Sequence, residues 1–124
     1  MQSDEPLCYG PQVMTWAAEL AAWSDQQDNL TCTYLTPAHR ATAEQIRQWM
    51  QEAGFDTVRR DAVGNVIGRY KAQASVAQPE LVVTGSHYDT VRNGGRYDGR
   101  LGILLPMAVV AQLSRRGERL PYDF

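Results

Sequence analysis

The sequence has little cysteine, few histidines, no excess of either charge and no long apolar run. Its 124 residues carry 12 basic and 14 acidic side chains, a formal net charge of −2. This balance gives no electrostatic reason to expect a nucleic acid or an anionic membrane as partner. The longest apolar stretch, 101–113, is interrupted by Pro106 and Gln112, and it is too short to cross a bilayer.

The two cysteines, Cys8 and Cys32, have no CxxC partner. Disulfides are rare in the reducing cytoplasm, so free thiols and a cytoplasmic location are favoured over a disulfide. Residues 1–11 open with acidic side chains and contain no apolar core, so we interpret them as a leader and not as a signal peptide. Residues 12–124 are then interpreted as one domain of ordinary globular composition.

Hydrophobic spacing predicts three helices. They lie near 12–26, 37–53 and 101–116. The second is the best defined, because Thr36 and Pro37 are typical of a helix start and Gly54 is typical of a helix end. Pro106 lies inside the third helix, where it predicts a kink or a later start.

Alternating apolar residues on both sides of a turn signal predict a β-hairpin. Its strands lie near 56–61 and 65–71. The apolar run 80–86 predicts a further strand that is covered on both faces. The order of helices and strands predicts an α/β layer, a mixed sheet covered by helices.

An imidazole and two carboxylates, His87, Asp89 and Asp98, follow the predicted strand. Ligand sites in open α/β sheets collect at the carboxyl ends of strands. A neutral imidazole is a good ligand for Zn²⁺ or Mn²⁺, and its other N–H usually goes to a carboxylate, for which Asp89 is the candidate. The loop glycines, among them Gly99, allow Asp98 to fold back beside His87 as a second ligand.

Other interpretations of this stretch fare differently. Ser86 lacks the glycine spacing of a nucleophile elbow, and "NGGRYDG" has neither the phosphate-binding glycine spacing nor a Walker lysine. A structural loop, with His87 capping a strand and the aspartates holding a turn, stays open on the residues alone. His39, in the first turn of a helix, is interpreted as a surface residue.

The stretch "GSHYDTVRNGGRYDGRLG" resembles the signature of metal-dependent amidohydrolases of the hydantoinase/carbamoylase type. The resemblance extends upstream to "YLTPAHRATAEQIRQWMQEAGF" and "VRRDAVGNVIGRY". It implies that 12–124 form the N-terminal part of a zinc-peptidase-like catalytic domain, ending before the later strands and the lid domain.

The resemblance also implies residue roles. His87 matches a terminal metal ligand, Asp98 the carboxylate that bridges two divalent ions (Zn²⁺ or Mn²⁺), and Asp89 the catalytic aspartate behind the histidine. The implied reaction is hydrolysis of the ureido amide of a small molecule, with allantoate favoured over N-carbamoyl-L-amino acids and ureidoglycolate. The implied full-length enzyme is a homodimer.

One departure from the family pattern bears on activity. The glutamate pair that supplies the general base and a further ligand in the family has no counterpart among the 124 residues. The chain alone is therefore expected to be inactive. A non-catalytic short protein that uses the scaffold for binding or assembly stays open as an alternative, and coding sequence beyond Phe124 would separate the two.

Overall fold

The computed structural model describes residues 9–124 and contains three helices and one β-hairpin. The helices are α1 (Gly10–Ala21), α2 (Pro37–Ala53) and α3 (Leu101–Arg116). The strands β1 (Thr57–Arg60) and β2 (Val66–Arg69) pair antiparallel. The α/β assignment is confirmed, and α2 and α3 have the predicted bounds. In the described part of the chain, no helix is long and apolar enough to span a membrane.

Helix α2 begins and ends where its capping residues require. The Thr36 side chain accepts a hydrogen bond from the His39 backbone N–H at 3.3 Å, and Pro37 occupies the first turn. At the other end Gly54 has a φ of 95°, the left-handed conformation that glycine adopts without strain. These two ends fix the register of the helix, so that Ile46 and Met50 face the interior.

The core lies between the three helices. α3 packs against α1 and α2, and α2 also packs against the hairpin. Trp16 of α1 stacks on Trp49 of α2 with ring centroids 5.5 Å apart. The buried cluster consists of Val13, Ala17, Leu20, Ala43, Ile46, Trp49, Met50, Tyr88, Leu104, Met107 and Ala108. One of its members, Tyr88, belongs to the predicted site stretch, which is thereby attached to the core.

Helix α1 differs from the predicted range of 12–26, since it begins at Gly10 and ends at Ala21. It ends early because a polar side chain captures the backbone that follows. The Ser24 hydroxyl accepts from the Thr31 N–H at 2.9 Å and from the Gln26 N–H at 3.1 Å, an alternative to helical pairing.

The predicted leader, 1–11, lies mostly outside the described residues, which begin at residue 9. Its last two positions, Gly10 and Pro11, open α1. Cys8 also lies outside the described part. Cys32 is a buried free thiol, as the cysteine usage predicts.

Residues 80–86 do not form the predicted buried strand. Their ladder is one parallel bridge between Leu81 and Asp123, with the Val82 N–H donating to the Asp123 carbonyl at 2.9 Å. Leu81 is 56% exposed and Val83 78% exposed. An extended run becomes a sheet strand only through pairing along its length, and the described residues pair it at one end alone.

Helix α3 continues through Pro106 and starts at Leu101, so the later start suggested by the proline is not found. The helix is also less buried than its composition predicts. Leu104 is fully buried, whereas Leu105 is 48% exposed and Val109 39% exposed. Its first turn fixes where the preceding loop must end.

Candidate metal site

The predicted site residues lie on one loop, 87–99, which directly precedes α3. Backbone hydrogen bonds hold this loop against the segment that follows α1. The Thr90 N–H donates to the Cys32 carbonyl at 2.8 Å, and the Cys32 N–H donates to Thr90 Oγ1 at 2.9 Å. The Gly94 N–H donates to the Leu30 carbonyl at 2.8 Å. The loop is therefore fixed by hydrogen bonds to the segment between α1 and α2.

His87 and Asp89 form the pair that the sequence predicts. His87 Nδ1 lies 3.0 Å from Asp89 Oδ1 and 3.1 Å from the Asp89 carbonyl oxygen. Both side chains are about half exposed, at 53% and 45%. In the neutral ring, a proton on Nδ1 that is donated to the carboxylate leaves a lone pair on Nε2. That arrangement is the one a metal-binding histidine needs.

The His87 ring lies directly against the backbone of Gly99, the residue after Asp98. A Cβ atom built at Gly99 would stand 2.4 Å from His87 Nε2, and the backbone there has a φ of 68°. Both features require glycine at this position. The loop thus brings the chain beside Asp98 to the imidazole. The Asp98 carboxylate is exposed, and its role as the second ligand stays a prediction.

The two predicted ligands fit part of a divalent-metal site. Between residues 9 and 124, no group of three or more His, Cys, Asp or Glu side chains is arranged to hold a metal ion. A catalytic Zn²⁺ site usually takes three protein ligands and a water molecule. One oriented imidazole (His87) and one exposed carboxylate (Asp98) have the right chemistry for such a site, and further ligands are needed to complete it.

Tyr88 anchors the pair from below. Its side chain is 9% exposed, although His87 and Asp89 on either side are both open to solvent. The ring stacks on His39 at a centroid distance of 4.4 Å, and the hydroxyl donates to the Gly64 carbonyl. Burial raises the pKa of Tyr88 to about 12. Tyr88 is a buried residue for which the sequence pattern predicts no role.

The interpretation of His39 as a surface residue is wrong. Its side chain is only 4% exposed, because its ring lies against both Tyr88 and Tyr34. This burial lowers the pKa of the imidazole, while the charges of Asp89 and Asp25 act in the opposite direction. The helical spacing of His39 to the buried Ala43 and Ile46 is the signal that could have revealed it.

Arg100 is a second buried residue that the sequence does not reveal. It stands between the loop and α3, has no exposed surface, and its Nε donates to the Tyr88 carbonyl at 3.1 Å. Desolvation lowers the pKa of its guanidinium. Arginine is almost never fully buried without a partner, so no pattern in the sequence predicts this position.

No protein-family model matches the chain, but individual proteins do. An N-carbamoyl-L-amino-acid amidohydrolase of Paenarthrobacter aurescens is 36% identical over 110 residues, covering 86% of this chain and 26% of the relative. An allantoate deiminase of Arabidopsis thaliana is 38% identical over 99 residues, covering 80% and 18% respectively. A solved hydantoinase/carbamoylase family amidase from Burkholderia ambifaria superimposes with a TM-score of 0.81 at 32% identity, covering 92% of this chain and 27% of that one.

The chain has an α/β architecture, and the relatives and the solved structure that it matches are named as an amidohydrolase, a deiminase and an amidase. Its motif and these matches make it similar to one part of the hydantoinase/carbamoylase family. It spans 26% of the Paenarthrobacter relative and 27% of the Burkholderia structure. The activity, substrate and partners of a whole protein of this kind are therefore matters for proposal.

Proposed function

We propose that this chain supplies part of the active site of a metal-dependent amidohydrolase that hydrolyses the ureido amide of a small molecule. The observation that carries the proposal is the His87–Asp89 pair, half exposed on a loop that the buried Tyr88 holds in place. Solvent-accessible imidazole that a carboxylate orients is the arrangement a reactive metal centre uses. A loop with a merely structural histidine has no need of an exposed, oriented ring.

Each residue of the pair then has a separate task. Asp89 accepts a hydrogen bond from the Nδ1–H group of His87, which fixes the tautomer and makes Nε2 a stronger metal ligand. His87 and Asp98 would hold the metal, with Asp98 bridging two ions. Two divalent ions, Zn²⁺ or Mn²⁺, lower the pKa of a bound water and polarise the substrate carbonyl when they are present.

The names of two relatives support the proposed substrate class. One relative is named for N-carbamoyl-L-amino acids and another for allantoate. We propose allantoate as the substrate, with ammonia and carbon dioxide among the products, and N-carbamoyl-L-amino acids or ureidoglycolate as the alternatives. A cytoplasmic homodimer is the state we propose for the whole enzyme.

The test is ammonia release by the full gene product from allantoate, an N-carbamoyl-L-amino acid and ureidoglycolate, with added Mn²⁺ or Zn²⁺. His87→Ala should remove both turnover and bound metal. Asp89→Asn should lower turnover or metal affinity by about 10- to 100-fold, as is found for other residues that orient a ligand. Glu52→Ala, which removes an exposed carboxylate at the end of α2 opposite to His39, is the matched control and should change neither.

Full metal content and turnover in His87→Ala would overturn the proposal. If the gene ends at Phe124 and its product releases no ammonia, the binding-scaffold alternative takes its place. The 124-residue chain by itself should bind divalent metal weakly and turn over no substrate. A tetrahedral catalytic site usually takes three protein ligands, and His87 and Asp98 supply two. Turnover by this chain that His87→Ala abolishes would show that the site is completed in another way.

A further inference from the structure

We propose that Arg100 is a positioning residue for the His87–Asp89 pair, and that it sets the tautomer and orientation of the His87 ring. The inference rests on the proposed function in treating this pair as part of a metal site. Arg100 touches neither ring nitrogen. It acts through the backbone between His87 and Asp89, where its side chain donates to the Tyr88 carbonyl.

The hydrogen bond of Arg100 spans the whole site loop. Its Nε donates to the Tyr88 carbonyl, 12 positions earlier in the sequence, at 3.1 Å. The Arg100 carbonyl accepts from the Ile103 and Leu104 N–H groups at 3.0 Å, so its backbone is fixed by the first turn of α3. One side chain therefore ties the start of the loop, where His87 stands, to its end, where Asp98 stands.

The guanidinium of Arg100 is also an unusual buried charge, because two of its nitrogens have no hydrogen-bond partner in the described part of the chain. Arg100 is fully buried, and within residues 9–124 neither Nη1 nor Nη2 has a hydrogen-bond partner. A buried guanidinium that is hydrogen-bonded only through Nε lowers stability, so folding stability alone does not account for it. A buried charge acts on its neighbours with little screening by solvent.

The Tyr88 carbonyl belongs to the backbone that joins His87 to Asp89. By holding this carbonyl, Arg100 fixes the backbone that carries the two acceptors of the imidazole, the Asp89 carbonyl oxygen at 3.1 Å and Asp89 Oδ1 at 3.0 Å from His87 Nδ1. Both acceptors favour a proton on Nδ1. The hydrogen bond of Arg100 thus favours the state in which the Nε2 lone pair is available.

Arg100→Met separates positioning from structural support. Methionine is apolar and flexible enough to fill the space, and replacing a poorly paired buried charge with an apolar side chain is often neutral or stabilising. We therefore expect Arg100→Met to remain folded while losing control of the ring. Arg100→Lys keeps the charge without the planar guanidinium, and should retain the native tautomer in a larger fraction of molecules than Arg100→Met.

The measurement is the ring ¹⁵N spectrum of the 124-residue chain at a pH where both histidines are neutral. Native His87 should be mainly the Nδ1–H tautomer. Arg100→Met should shift it towards Nε2–H, and Asp89→Asn should do the same. His39 serves as the internal control, since it packs on the ring of Tyr88 and not on the bond that Arg100 makes. An unchanged His87 spectrum in folded Arg100→Met would overturn the inference.

If Arg100→Met does not fold, the polar and uncharged Arg100→Gln takes its place against Arg100→Lys. A native tautomer in Arg100→Gln would again overturn the inference.

Mn²⁺ titration of the full gene product separates the two proposals. Weakening of about 10- to 100-fold in the charge-free variant supports both. If the native protein and the charge-free variant bind Mn²⁺ with equal affinity, the positioning role of Arg100 is wrong and the proposed function stands. If the tautomer shifts in the variant but the native protein binds no Mn²⁺, the proposed function is wrong and the positioning role stands.

Discussion

The helical layer and the loop 87–99 are held in place by different forces. The layer, formed by α1, α2 and α3, buries a central cluster of apolar side chains, in which Leu20 and Leu104 have 0% exposure. The loop exposes its functional side chains and is fixed by backbone hydrogen bonds, by the left-handed Gly99 and by the buried ring of Tyr88. Stability and chemistry are therefore carried by separate residues, and substitutions should divide along the same line.

The largest effect on stability should come from the layer. Leu104 is fully buried in the cluster between the helices. Leu104→Ala should lower the free energy of unfolding by about 2–5 kcal/mol, because apolar contact is lost and a cavity remains. Urea unfolding measures it. Leu105→Ala on the same helix, at a position 48% exposed, is the matched control and should cost no more than about 0.5 kcal/mol.

If Leu105→Ala lowers the free energy of unfolding as much as Leu104→Ala does, the outer face of α3 is covered in solution. Concentration-dependent unfolding of both variants would then point to association through that face.

Gly99→Ala should be the most damaging single change within the loop. Its Cβ would stand 2.4 Å from His87 Nε2, and alanine would be held at a φ of 68°. We expect a loss of about 1–3 kcal/mol from the backbone conformation, together with displacement of the His87 ring and weaker Mn²⁺ binding. Gly95→Ala is the control, since a Cβ there meets nothing within 4 Å. Native metal affinity in Gly99→Ala would remove His87 from the site.

The sequence predicts the layer better than it predicts the sheet. Local signals fix α2, since Thr36 and Gly54 supply its ends and the helical stripe supplies its buried face. The run 80–86 has an equally plain apolar pattern, but a strand is completed by partners elsewhere in the chain. With one bridge to Asp123, its burial could not be read from its own residues.

The site shows the same division. His87 and Asp89 are two positions apart, so their contact is local and could be predicted. Arg100 and His39 reach the site through tertiary packing, one beneath the Tyr88 carbonyl and the other against the Tyr88 ring. Helical spacing could have indicated the burial of His39, but its contact with the Tyr88 ring and the burial of Arg100 depend on how α2, the hairpin and α3 come together.

Tyr88→Phe should weaken the connection between loop and layer by a smaller amount. The hydroxyl donates to the Gly64 carbonyl in the hairpin turn, and its loss should lower the free energy of unfolding by about 0.5–1.5 kcal/mol. The ring stays, so stacking on His39 and the His87–Asp89 pair should persist. Tyr97→Phe, at an exposed ring, is the control and should be neutral. A larger loss of metal affinity than of stability would show that the hydroxyl also orients the site.

The smallest expected effect is a pH dependence that belongs to the layer and not to the site. Burial lowers the pKa of His39 below its ordinary 6.5, against the opposing charges of Asp89 and Asp25. The folded state thus favours the neutral ring more than the unfolded state does. The stability that His39 contributes is complete above pH 6.5 and is lost as the pH falls from there through the lowered folded-state pKa.

His39→Phe keeps an aromatic ring against Tyr88 but cannot titrate. Urea unfolding from pH 8 to pH 5 should therefore show the native chain losing stability relative to His39→Phe as the pH falls. An equal loss of stability on acidification in the native chain and in His39→Phe would contradict the prediction, because the buried ring would then contribute nothing to the pH dependence.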